Sequence, residues 1–533
     1  MSGGSTAHQL ETLLLLLVFV AGFSGLARRW SVPYPIVLVV AGLVLSFIPG
    51  IPRIPLSPDV VFFILLPPLL YSAAYLTSWR DFRYNLVSIA MLAFGLVGFT
   101  VWGVAYTADH LITALDWKSG FLLGAVVSAT DAIAATSIAK TLGLPRRIVD
   151  VLEGESLLND ATALLALEFG LLFLLRGKLP SAGEGLLRLA WLTAGGIGVG
   201  LALGAVEAWF ERFVNDGPIE IVISLIVPYA AYLAGNAVHA SGVLATVACG
   251  LYIGRRSSTI YSPTARLQLR AVWQAMTFAM NGLVFVLIGL QLPYVLAGIR
   301  GYGRWTLLLY AAIFSGVLIA LRMIWTFPGA WFAFWIRTRL LKQQQTPPTA
   351  RGLFVVGWTG MRGVVALAAA FSLPETLADG RPFEQRNLII FLTFSVILVT
   401  LVLQGSTLPA LIRVLGLAGR GGMATEEREV RRTVIEEGLA KLRSDRERAS
   451  VDEAQIYDDL IHQYEHRLAA VSGSGGPAHK ESRGNFERIV HSVEQTERNT
   501  LIRLRDEGQI SDQVLRAVER DLDLTASHHH SRP

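Results

Sequence analysis

The chain has 533 residues, 53% of them hydrophobic and only 16% charged, with a mean hydropathy of +0.49. That balance excludes an ordinary soluble globule and points to a polytopic membrane protein with some soluble mass. The formal charge of +5 comes from scattered Lys and Arg rather than a basic stripe, which argues against a nucleic-acid partner, and the single cysteine, Cys249, excludes an internal disulfide or a cysteine-rich metal centre.

The apolar stretch Leu13–Leu26 is followed by no convincing small-residue cleavage site, so it reads as a first span rather than a removed signal. Hydropathy predicts about 13 spans, at roughly 10–27, 34–49, 59–78, 86–107, 118–141, 148–175, 189–211, 218–238, 240–254, 271–297, 304–334, 352–373 and 387–415. A Gly- and Pro-containing loop, 176–185, separates the sixth from the seventh. With the N-terminus outside, about 18 basic residues fall in inner segments, among them Arg28, Arg29, Arg146, Arg147, Arg255 and Arg256, against about 9 outside. An odd number of spans then puts the C-terminus in the cytoplasm.

Spans one to six and eight to thirteen read as two inverted halves, with the seventh as linker. If so, matching members should both be interrupted. Span five carries Thr130 and Asp131 in its middle, and its counterpart, span twelve, carries Gly357, Gly360, Arg362 and Gly363. Pro67 and Pro68 are expected to kink span three.

From about Ala424 the composition turns charged and helical in pattern to Ala470. A Gly/Ser break follows at 472–477, and then an amphipathic stretch from Asn485 to Leu524. The fold class expected is therefore an all-α polytopic membrane protein, with a transmembrane domain at 1–420 and a small helical cytoplasmic domain at 421–533. His528–His530 read as chain end rather than as a metal site.

The chemistry concentrates in Glu153–Glu168, EGESLLNDATALLALE, which opens an apolar helix long enough to cross a bilayer. Helical spacing puts Ser156 and Asp160 on one face, with Glu155 and Asn159 beside them. A charge at membrane depth costs several kcal/mol, so it needs a partner, a proton or a cation. Together with Thr130 and Asp131, these groups would make a small oxygen-lined site for a hard monovalent cation.

Ser128-Ala129-Thr130-Asp131, then Gly154-Glu155-Ser156-Leu157-Leu158-Asn159-Asp160, then Gly360-Met361-Arg362-Gly363, in that order and spacing, resemble the sodium/proton antiporter family, in the branch where Asn precedes the key Asp. Phe63–Pro68 and His239–Ala245 add to the likeness, which covers roughly residues 10–415. The resemblance implies two inverted repeats with crossed broken helices, and a homodimer formed through the helices outside the moving core. It implies exchange of Na⁺ or Li⁺ for H⁺ by alternating access in the cell membrane. Asp160 would carry the ion or the proton, Asp131, Thr130, Ser156 and Asn159 would complete the site, and Glu155 would pair with Arg362 to hold the core. With Asn159 in place of a second acid, exchange should be electroneutral. The family usually has Pro after the first Asp; Ala132 stands here, which bears on the geometry of the break.

Asn236 occupies a position where similar proteins often carry an acid, and His239 reads as an interfacial histidine. Glu168, Glu207 and Arg322 lie in or near spans, and the sequence gives them no role. No nucleotide loop, nucleophile constellation or metal-ligand cluster suggests an enzyme, and no cofactor is expected, the cation being cargo. The same residues also admit a K⁺/H⁺ antiporter of this fold, or a cation channel or membrane sensor with the tail as its regulatory part.

Overall fold

The structure is a computed structural model. It describes residues 3–472 apart from 31, 49–55, 113, 177–180, 215, 300, 345, 378–379, 420–422 and 449–450, and scattered residues between 496 and 518. The break expected after 472, most of 485–524 and His528–His530 lie outside the described residues.

Two units separate, Met1–Gly421 and Gly422–Pro533. The first is all-helical among the described residues. Its first half holds α1 (Gly3–Trp30), α2 (Tyr34–Leu45), α3 (Leu66–Leu76), α4 (Trp79–Ala90), α5 (Val97–Leu111), α6 (Trp117–Ser128), α7 (Ala132–Thr141), α8 (Arg146–Arg176) and α9 (Ala182–Phe210). The second holds α10 (Gly217–Ala237), α11 (Gly242–Ile260), α12 (Pro263–Leu290), α13 (Leu292–Gly298), α14 (Arg304–Trp335), α15 (Ala350–Trp358), α16 (Val364–Phe371), α17 (Arg386–Val399) and α18 (Gly405–Val414).

Helix occurs at each of the expected positions, but only nine segments among the described residues are both long and apolar enough to cross a membrane. The shortfall has local causes. Helix α2 has 12 residues. The 60–76 segment is short, and it winds as a π turn at Val60–Leu65 directly into α3, with Pro67 and Pro68 just past the junction. Helix α11 ends in Arg255, Arg256 and three hydroxyl residues, which lower its hydropathy. Span twelve is cut into α15 and α16, of 9 and 8 residues.

Two helix groups position the site. In one, α8 packs on α4, α6 and α7, and α6 packs on α5. Its core includes Leu122, Leu123, Val355, Leu367 and Ile397, all buried. In the other, α9 packs on α10 and α11, and α11 on α3, around Tyr71, Cys249, Ile253 and Trp273. Capping explains how the fifth span starts and, after its break, restarts. Asp116 accepts from Ser119 N–H at 3.0 Å to open α6, and Asp131 accepts from Ile133 N–H at 2.8 Å to open α7. Such caps contribute about 1 kcal/mol each.

The second unit, taken by itself, holds α19 (Met423–Arg446) and α20 (Val451–Ser472), which pack together. Ile435 and Leu439 are buried, and Arg446 makes a bidentate pair with Asp458 at 2.8 and 3.0 Å.

Candidate functional site

The two interruptions meet. Between α6 and α7, Ala129, Thr130 and Asp131 leave the helix; between α15 and α16, residues 359–363 do. Asp131 N–H donates to Met361 O at 2.9 Å, so one break is tied directly to the other. A Cβ at position 363 would lie 2.6 Å from Asp131 Oδ2, so only glycine permits this approach. Unwound backbone at membrane depth is tolerated only where protein or a cavity covers it, and here polar side chains of α8 cover it.

Ser156 donates from Oγ to Thr130 O at 3.0 Å and accepts from Ala132 N–H at 3.4 Å, so it staples both sides of the break. That second bond needs a backbone N–H, which a proline at 132 would lack. The departure from the family's pattern is thus matched by a bond of its own. Asn159, buried, reaches the same break. With its amide oriented to satisfy its neighbours, it donates to Ser128 O at 3.2 Å and accepts from Thr130 Oγ1 at 2.6 Å and Thr130 N–H at 3.2 Å. Thr130 Oγ1 lies between that amide and Glu155 Oε1, 3.2 Å away. Thr130, Ser156 and Asn159 therefore come together as expected, but their polar atoms engage one another and the broken backbone.

Asp160 differs. Its side chain is buried, at 7% exposure, and among the described residues no protein donor bonds its carboxylate. Asp131 lies within its electrostatic reach and is itself only partly engaged, as the cap of α7. A buried carboxylate with no donor and a second acid nearby needs a proton or a cation to neutralise it.

The expected Glu155–Arg362 pair is corrected. Glu155 pairs with Arg322 of α14, Nη1 to Oε1 at 2.5 Å and Nη2 to Oε2 at 2.9 Å, both side chains fully buried. Arg322 also donates to Val356 O from Nε and Nη2, at 3.3 and 3.2 Å, and so binds α8 to the end of α15. Its shaft passes against Gly360, where any Cβ would collide with Arg322 Cδ. Arg362 stands within electrostatic reach of Glu155 but bonds other groups. Its Nη1 donates to Ser128 O at 2.7 Å and Ala129 O at 3.2 Å, the carbonyls left open where α6 ends. A cation belongs there, because a helix C-terminus carries partial negative charge and carbonyls without intrahelical donors. Sequence order offered Arg362, from the motif, over Arg322. The signal that favoured Arg322 was a lone charge in the middle of an otherwise apolar helix, which has to find a partner.

The remaining polar residues also find places. Glu207 accepts from Tyr261 Oη at 3.0 Å and Tyr71 Oη at 3.4 Å inside the second helix group. Glu168 pairs with Arg188 at 3.0 Å. His239 takes a left-handed conformation (φ 52°) in the turn between α10 and α11. Asn236 lines a cavity beside α8.

Comparison with known proteins identifies the family. The family model for the transmembrane part of sodium/hydrogen exchangers matches residues 14–414. An uncharacterized Na⁺/H⁺ exchanger of Mycobacterium tuberculosis is 33% identical over 97% of this chain and 95% of its own length. A sodium, potassium, lithium and rubidium/H⁺ antiporter of Bacillus pumilus is 31% identical over 86% of this chain and 69% of its own. Among solved structures, the sodium proton antiporter MjNhaP1 of Methanocaldococcus jannaschii superposes with a TM-score of 0.59 at 19% identity, covering 77% of this chain and 98% of that one, a likeness of fold. With the match spanning nearly all of the membrane unit, and with nine helices among the described residues apolar and long enough to cross a bilayer, the chain is an integral membrane protein that belongs to the sodium/hydrogen exchanger family.

Proposed function

We propose that the protein exchanges Na⁺ or Li⁺ for H⁺ through Asp160, by alternating access in the cell membrane, with its C-terminus in the cytoplasm. One observation carries this reading: Asp160 is buried and no donor among the described residues bonds its carboxylate. Thr130, Ser156 and Asn159 bond one another and the break, and Glu155 is held by Arg322, while Asp160 retains both oxygens for a proton or for a cation, though not for both. Asp131 adjoins it and would share the cation. Thr130, Ser156 and Asn159 act mainly by holding the break open to that geometry, and their backbone neighbours would supply further oxygens.

Since Asn159 is neutral and Glu155 is neutralised by Arg322, one cation replaces one proton, and exchange is electroneutral. The crossing of α6/α7 with α15/α16 supports two inverted repeats of broken spans, with about 13 spans in all. The group around α8 would then move against the group around α9, through which a homodimer would form.

A second reading is K⁺/H⁺ exchange on the same residues. The Bacillus pumilus relative, whose name includes potassium and rubidium beside sodium and lithium, favours keeping it.

The test uses inside-out vesicles with a pH dye. After acid loading, NaCl, LiCl or KCl should dissipate the gradient for each transported cation, and Asp160→Asn should abolish the response in a protein that still folds. A potential-dependent current without proton movement would contradict the antiporter reading, and a rate that follows a clamped membrane potential would contradict electroneutrality.

A further inference from the structure

Between the two helix groups lies a cavity of about 160 Å³. Its walls come from both groups: Ala161, Thr162 and Glu168 of α8 on one side, and Thr193 of α9, Asn236 of α10 and Ser241, the cap of α11, on the other. Ala161, which lines it, is the residue after Asp160, and Glu168, which also lines it, lies two turns further along the same helix. The volume accommodates several waters, and the lining alternates hydroxyl, amide and carboxylate oxygens with apolar groups. Oxygen of this kind solvates a monovalent cation that has shed part of its water.

The rim is bridged. Glu168 of α8 and Arg188 of α9 pair at 3.0 Å, with side chains 41% and 38% exposed. Helix α8 packs on α4, α6 and α7, while α9 packs on α10 and α11, so this ion pair joins helices that otherwise belong to different groups. Neither residue has a role legible from its sequence position, and neither bonds Asp160.

We propose that this cavity is the path by which the cation reaches Asp160 from the Arg176 end of α8, and that Glu168 and Arg188 form a latch across its rim. The proposal rests on the antiport reading above. While the pair is made, Arg188 neutralises Glu168 and ties the two groups together. Displacement of the α8 group along α9 separates a 3.0 Å contact, and Glu168 then presents an unpaired negative charge at the mouth, which attracts a cation toward the site. Glu168 is a positioning residue in this scheme: it sets the occupancy of the path and leaves the exchange at Asp160 unaltered.

The experiment has two arms, both on the full chain in vesicles with a pH dye. In the first, Glu168→Cys and Arg188→Cys are combined and bridged with a short bifunctional thiol reagent. The native thiol, Cys249, is buried and does not compete. Bridging should stop exchange, and reduction should restore it; a bridged protein that exchanges at the unbridged rate overturns the latch. In the second, Glu168→Gln should raise the half-saturating cation concentration about two- to fivefold, the range for a single partly exposed charge pair, when the cation is added on the Arg176 side of α8, and should not change it from the other side. Charge reversal, Glu168→Arg, should impair exchange, and adding Arg188→Glu should restore it. Equal shifts from both sides, or no restoration in the reversed pair, overturn the proposal, and this arm decides the matter if the double-cysteine protein is inactive before bridging. Failure of the latch alone leaves Asp160→Asn inactive and the wild type active. A wild type that moves no protons on cation addition removes the reading beneath both.

Discussion

Two carboxylates on α8, five residues apart, meet opposite surroundings. Glu155 is held by both arms of Arg322, and the same arginine also binds Val356 O. Asp160 is nearly as buried and has no donor at all among the described residues. One helix thus carries a closed charge and an open one. Burial alone does not mark a functional acid in a membrane, nor does the lack of a partner, since Glu211 is buried with both carboxylate oxygens unbonded among the described residues; Asp160 is set apart by standing beside a second acid, Asp131, at the break. Glu207 makes the point about burial from the other helix group, since two tyrosine hydroxyls satisfy it.

The contrast is broken most severely at the closed charge. Arg322→Ala leaves Glu155 buried and unpaired, a cost of about 3–5 kcal/mol, so little folded protein should survive thermal-unfolding assays in detergent. Replacing both members with apolar residues of similar size, Glu155→Leu with Arg322→Met, should recover much of that stability. If the double variant is no more stable than the single one, the pair does more than neutralise itself. The next effect belongs to Arg362. Loss of its bonds to Ser128 O and Ala129 O in Arg362→Ala should lower stability by about 1–3 kcal/mol, less than for Arg322, because the carbonyls left behind are neutral. A larger loss than for Arg322→Ala would restore the expected Glu155–Arg362 pairing.

A smaller effect sharpens the role given to Ser156. Ser156→Ala removes one bond to each side of the α6/α7 break and should cost about 1 kcal/mol. Ala132→Pro should add little to that loss in the Ser156→Ala background, since the N–H it removes has already lost its acceptor. The smallest effect lies at the tail. The Arg446 guanidinium holds the Asp458 carboxyl below the usual aspartate range. A depressed folded-state value stabilises above the unfolded value and is lost as the pH falls through the folded one. Protection of α19 and α20 from hydrogen exchange should therefore fall in acid below the ordinary aspartate range, and Arg446→Ala should remove that acid dependence by lowering protection at neutral pH by the same small amount.

The sequence made the membrane class, the helix positions and the place of the α6/α7 break legible, because each depends on local composition: apolar runs of bilayer length and polar residues within them. It also made legible which residues of α8 share a face, since that follows from helical period. Pairing was less so. Arg322 and Glu155 stand 167 positions apart, and a motif that places Arg362 beside a glycine pair invites the wrong partner. Nor could spacing show that Ser156 and Asn159 turn their polar atoms to the broken backbone, since that depends on how closely α6, α7 and α8 pack. The Glu168–Arg188 pair was hidden for a different reason: two ordinary charges near span ends acquire meaning only when the cavity between their helices is seen.

The measurement closest to the central claim is proton release on cation binding. Purified protein in weakly buffered detergent solution is titrated with NaCl, LiCl and KCl across a series of pH values, with choline chloride as the control for ionic strength. Competition at Asp160 predicts that the transported cation releases a proton from the wild-type protein, over a window in which the site is protonated, and that folded Asp160→Asn releases none. Equal release from Asp160→Asn would place the exchange on another group and contradict the account.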